Sequence, residues 1–219
     1  MREVFQQELR EVQERLVEIA GLVEIAIDHA TRAFNESNVA LAEQVIAEDD
    51  KIDRASRDLD ELAINILARQ QPVARDLRIV VSALRISASL ERMGDLSEHI
   101  AQLARYRFPE KVVPQSLRET FHELGMLDVA IARKLTKLLR SEDLELAEEI
   151  RNDDDRIDEL HVGVFDAVLG EAWKGGATDT VDSTLASRYH ERFADHAVTI
   201  AKNIQYLATG DFAMTIQEP

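Results

Sequence analysis

The sequence contains no cysteine, which removes disulfides, thiolate metal sites and cysteine nucleophiles, and fits a reducing compartment. Proline and glycine are scarce, with 4 and 8 in 219 residues, so few places interrupt long helices. Long apolar runs are missing too. The most apolar stretch of the expected third helix, Ile79 to Leu84, is closed by Arg78 and Arg85. That is far short of the roughly 20 residues a membrane span needs. The amino-terminal MREVFQQELREVQERL is charged from its second residue, unlike a signal peptide. A soluble chain with no direct membrane insertion is therefore expected. Basic residues are in deficit, 26 against 42 acids, for a net charge of −16. Such a surface repels phosphate backbones, and no nucleic-acid partner is expected.

What is present is a helical protein with a real core, since 45% of residues are hydrophobic. Phe5, Leu9, Val12, Leu16, Ile19, Val23, Ala26 and Ala30 step by alternating fours and threes, the seam of a long bundled helix. The segment from Asn35 to Asn38 offers a break and a new cap, predicting a second helix over about Val39 to Gln70. Pro72 marks a turn before a third helix from about Val73 to Tyr106. Pro109 and Pro114 bracket a linker. A fourth helix should then run to Arg140, and a fifth should start at Ser141 and end at Gly175-Gly176. The sixth should cover about Thr178 to Ala208. The expected fold is all-α, two tandem three-helix-bundle repeats of long antiparallel helices. The repeats span residues 1–108 and 117–219, joined by a linker over 109–116.

The acids are concentrated in two places. Residues 42–61 hold eight acids and three bases, and residues 142–159 hold ten acids and two bases. The segments themselves repeat: EDDKID (Glu48 to Asp53) matches DDDRID (Asp153 to Asp158), and ERMGD (Glu91 to Asp95) matches ERFAD (Glu191 to Asp195). Each contains two acids four residues apart, on one helix face: Asp49/Asp53, Glu91/Asp95, Asp154/Asp158 and Glu191/Asp195. Their placement across each hairpin is more telling. Asp49 and Asp95 lie 23 residues either side of Pro72, and Asp53 and Glu91 lie 19 either side. In the second half the same symmetry centres between Lys174 and Gly175. Antiparallel hairpins with these turns bring four carboxylates to one level, twice.

Like charges so gathered need compensation. Arg54, Arg92, Arg156 and Arg192 stand within or beside the motifs, so a salt-bridge ladder between metal-free scaffold helices is one reading, with Arg78, Arg85 and Arg92 at spacings of seven. The sharper reading is a cation site in each half, Asp49, Asp53, Glu91 and Asp95 in the first and Asp154, Asp158, Glu191 and Asp195 in the second. All-oxygen donors suit hard cations. His190 and His196 are adjacent in sequence only and stay outside this set. A ferritin-like di-metal enzyme needs Glu-x-x-His pairs around one four-helix core. Glu119-Thr-Phe-His122 is a lone match and Asp158-Glu-Leu-His161 a looser one. No glycine-rich phosphate loop or nucleophile elbow occurs, so no enzymatic activity is expected.

The chain resembles the PhoU family of phosphate-uptake regulators. The likeness rests on RQQPVARDLR (Arg69 to Arg78), LERMGD (Leu90 to Asp95), ERFADH (Glu191 to His196) and the two-repeat layout. Phe193-Ala194 departs from the family's aliphatic residue and glycine, and Asp stands for Glu at 49 and 154. The resemblance implies a cytoplasmic, dimeric regulator that represses the phosphate-starvation response. It also implies two partners, the ATPase subunit of a phosphate ABC transporter and a phosphate sensor histidine kinase. That places the protein beside the inner face of the plasma membrane. The acid–x–x–x–Asp motifs of some members bind metal clusters, so iron, manganese or magnesium is the expected cofactor.

Overall fold

The structure, a computed structural model, describes residues 2–210; the outer ends of the two expected repeats, residue 1 and residues 211–219, lie outside it. Six helices form: α1 (Arg2–Glu36), α2 (Val39–Gln70), α3 (Ala74–Arg107), α4 (Arg118–Ser141), α5 (Leu144–Leu169) and α6 (Ala177–Thr209), with one 3-10 turn (Gln115–Leu117) before α4. There is no strand among the described residues.

Local chemistry sets several boundaries. Asn38 caps α2, its side chain accepting from the Leu41 amide at 3.1 Å. Gln71 takes the left-handed conformation at the end of α2, and Pro72 follows it into the turn. The seam of α1 is Leu9, Val12, Leu16, Ile19, Val23, Ile27, Ala30 and Phe34. Ile27 replaces the expected Ala26 in it, because a straight helix drifts from a 3.5-residue repeat.

The α4–α5 junction differs from expectation. Ser141 belongs to α4, Glu142 ends that helix in the left-handed region, and Asp143 caps α5 by accepting from the Glu145 amide at 3.0 Å. Helix α5 also stops at Leu169, short of the glycine pair. Residues 170–176 form a loop folded over Trp173, whose indole donates to Thr180 Oγ1 at 2.9 Å. A Cβ on Gly175 would lie 2.4 Å from that ring, so glycine is required by the indole rather than by the helix end.

Each repeat is a three-helix bundle, and the two share one core. Helix α3 lies against α6, and α1 lies against α4. The α3–α6 pair is antiparallel: Arg107 makes a two-pronged ion pair with buried Asp182, and His99 stacks on Tyr189 at 5.1 Å. Arg78 meets the carboxyl end of α6 at Gly210, where it complements the helix dipole. Small buried residues, Ser82, Ser87, Ser89, Gly94 and Ser97, let α3 pack on three neighbours at once. Large side chains such as Phe121, Phe193, Ile86 and Leu90 are fully buried, each contributing about 1.5–3 kcal/mol. Helices α2 and α5 are left on the outside. Their acidic faces meet α3 and α6 respectively.

Candidate metal centres

In the first repeat the three-residue turn at 71–73 folds α3 back along α2. One carboxylate oxygen each from Asp49, Asp53 and Asp95 lies within 4.8 Å of the others. All three are half-buried. Burial pushes Asp49 up to about 7, and the neighbouring charges of Glu98, Asp53, Asp95 and Glu91 add to it. Glu91 is raised as well, first by burial and then by Asp95. It stands at the edge of the group, turned toward Arg92 at 3.5 Å.

Gly94 makes the approach possible. A Cβ there would lie 3.0 Å from Ile52 Cδ1 and 3.2 Å from Asp49 Oδ1. Glu98 also faces this cluster, although the acid–x–x–x–Asp pattern does not include it. The signal for it was available: it lies one turn beyond Asp95 and two turns beyond Glu91 on the same face of α3.

The second repeat assembles its acids more loosely. Burial pushes Asp154 up to about 7, reinforced by Asp158, Asp195, Asp155 and Glu191. Asp158 and Glu191 are both raised, first by burial and next by Asp195. No three donor atoms here come within 4.8 Å of one another among the described residues. Yet Asp154 Oδ1 and Glu191 Oε2 are buried with no hydrogen-bond partner. Such orphaned oxygens are what a bound cation would satisfy.

The arginines within or beside the motifs do not bridge the α2–α3 or α5–α6 acids. Arg54 and Arg57 donate to the backbone carbonyls of Asp50 and Asp53. Arg156 pairs with Glu123 and Glu159. The exceptions are local, Arg92 on Glu91 and Asp95, and Arg188 on Glu191. The ion pairs of Arg92, Arg156 and Arg188 do not include Asp49, Asp53, Asp154, Asp158 or Asp195. Both clusters are thus under-compensated, and their donors are all oxygen, which fits hard divalent and trivalent ions.

The motifs of a ferritin-like centre do not meet. His122 is exposed on α4, while His161 on α5 is tied through Nδ1 to Ser187 on α6 at 3.0 Å. His196 is lowered, first by burial and then by Arg192, and feels both Asp195 and Asp95, one acid from each cluster. A cleft of about 330 Å³ among α1, α3, α4 and α6 contains none of the eight acids.

Comparison with known proteins follows the same two-repeat division. The PhoU domain profile matches residues 16–104 and again 121–204. The chain belongs to the PhoU family. It is 42% identical over 212 residues to the phosphate-specific transport system accessory protein PhoU homolog 2 of Mycobacterium tuberculosis, covering 97% of this chain and 100% of that one. A PhoU homolog of Rhizobium meliloti is 32% identical, covering 94% and 87%. Among solved structures, PhoU from Pseudomonas aeruginosa superposes with a TM-score of 0.86 at 28% identity, over 94% of this chain and 100% of that one. The phosphate transport system regulatory protein PhoU from Streptococcus pneumoniae, 24% identical, shares the fold with a TM-score of 0.85 over 95% and 98%. PhoU proteins are accessory and regulatory components of phosphate transport rather than enzymes. No helix among the described residues is long and apolar enough to cross a membrane.

Proposed function

We propose that this PhoU-family chain regulates phosphate uptake from the cytoplasm and holds the phosphate-starvation response off. In this reading it links the ATPase subunit of a phosphate ABC transporter to a sensor histidine kinase at the inner face of the plasma membrane. It acts as a homodimer, with repeats 1–108 and 117–219 either side of the linker 109–116. Support for the regulatory role comes from 42% identity, over 97% of this chain, to a phosphate-specific transport system accessory protein. Two quartets hold the ions: Asp49, Asp53, Glu91 and Asp95 in the first repeat, and Asp154, Asp158, Glu191 and Asp195 in the second. Iron, manganese and magnesium suit these donors.

The observation that carries the metal reading is the convergence of Asp49, Asp53 and Asp95 without a compensating arginine on either α2 acid. A cation there would relieve repulsion between like charges and set α2 firmly against α3. Chelator-stripped protein titrated with Fe³⁺, Mn²⁺ and Mg²⁺ tests it beside the Glu91→Ala/Asp95→Ala variant. Loss of the tightest binding step in the variant is expected; identical isotherms sink the first centre. For the regulatory role, tagged protein should retain the transporter ATPase from cell extract. Retention of neither the ATPase nor the kinase removes that link.

A further inference from the structure

Two arginines contact the carboxylates that a cation would use, and each does so from its own helix. Arg92 Nη1 donates to Asp95 Oδ2 at 2.6 Å, and its Nε lies 3.5 Å from Glu91 Oε2. Arg188 is hydrogen-bonded to Glu191 Oε1 at the same three-residue spacing, although the repeat counterpart of Arg92 is Arg192. The guanidinium-bearing side chains are 62% and 49% exposed, whereas Glu191 is only 12% exposed.

We propose that Arg92 and Arg188 are built-in competitors of the cation, which loads each centre by turning its arginine out into solvent. This inference rests on the metal reading above. Guanidinium and metal ion are drawn to the same carboxylate groups, and both are favoured there by the same crowding of negative charge. Each arginine makes its carboxylate hydrogen bonds within its own helix and feels the acids of the neighbouring helix only at longer range, so releasing it breaks no hydrogen bond that joins α2 to α3 or α5 to α6. Release is also inexpensive, because each guanidinium is largely open to solvent, contributes little through a same-helix pair and is rehydrated once freed. The arrangement therefore raises the cation concentration needed for loading without blocking it. The rival role for such an arginine is support, holding Asp95 in the orientation a metal prefers. The two roles predict opposite signs.

The test is calorimetric titration of chelator-stripped, full-length protein with Mn²⁺. Arg92→Gln should bind at the first centre about fivefold more tightly than the unmodified chain, the equivalent of one exposed ion pair removed. Arg54→Gln removes the same charge beside the same cluster without touching its carboxylates, and should change affinity by less than about twofold in physiological salt. Arg188→Gln and Arg192→Gln form the matching pair at the second centre. Circular dichroism checks that each variant keeps its helices. Weaker or unchanged binding by Arg92→Gln, or equal tightening by Arg54→Gln, overturns the competition and leaves the metal reading standing. If the unmodified chain binds no Mn²⁺, the metal reading itself fails and takes this inference with it.

Discussion

Gly94 on α3 faces Asp49 on α2 so closely that a single added methyl group would sit 3.2 Å from its Oδ1. The corresponding residue of the second repeat is Ala194, which is fully buried. Among the described residues, only the first repeat draws three carboxylate oxygens within 4.8 Å. The glycine therefore sets how near the two helices come at the level of the acids.

Replacing Gly94 with Ala should weaken cation binding at the first centre and spare the second. The new Cβ presses on Ile52 and on the Asp49 carboxylate, and a ligand displaced by its supporting contacts typically loses about tenfold in metal affinity. Alanine is also the better helix former by about 1 kcal/mol, so global stability should not collapse. Mn²⁺ titration paired with thermal denaturation separates the two effects. Unchanged affinity at the first centre would show that the close approach plays no part in ligand placement.

The raised carboxyls give the protein a pH dependence of definite sign. Asp49 and Asp154 move from an ordinary 3.8 to about 7 on folding. Their folded forms hold protons that the unfolded chain has already released, so the stabilisation they contribute is lost as pH rises through about 7. In chelator, the melting temperature should fall between pH 5.5 and 8, and Asp49→Asn/Asp154→Asn should flatten that fall. Saturating Mn²⁺ should flatten it too, because the cation takes the place of the protons. Below pH 7 its binding should release protons into the buffer. A chelated protein whose melting temperature rises over this range contradicts the assignment.

Much of this architecture is written in local residues. Asn38, Pro72 and the α1 seam give the helices of the first repeat nearly to the residue, because caps, proline and apolar spacing act within a few positions. The mirror placement of Asp49, Asp53 and Asp95 about Pro72 is legible for the same reason: a short turn fixes the register of a hairpin. Other features depend on distant partners. The end of α5 at Leu169 follows from Trp173 reaching Thr180 across the loop. Glu98 shares a face of α3 with Asp95 and Glu91 by helical spacing, but its reach to Asp49 depends on the packing of α2 on α3. The antiparallel seating of α3 on α6, with Arg107 on Asp182, joins residues 75 positions apart and has no periodic signature. Arg54, named in the alternative reading of a salt-bridge ladder, instead reaches back to the Asp50 carbonyl of its own helix.

The two repeats differ most deeply in their cores. His190 Nδ1 meets Asp128 Oδ2 at 2.6 Å, with both side chains almost completely buried. Counting by the repeat, the matching positions of the first half are Val23 and Leu90, both buried and apolar. Phe34 and Phe121 pack around the imidazole, and Asp128 Oδ1 and His190 Nε2 have no hydrogen-bond partner. Burial pushes Asp128 up to about 6, with His190 pulling the other way. A pair this dry is held by each partner's need for the other rather than by net gain. Asp128→Ala should therefore destabilise the protein by about 3 kcal/mol or more, since it strands His190 in the core. Asp128→Val/His190→Leu, which copies the first repeat, should recover that loss or exceed the original stability. Urea unfolding of the three proteins measures it. A double variant no more stable than Asp128→Ala would mean that the pair's hydrogen bond, and not merely its mutual compensation, holds α4 against α6.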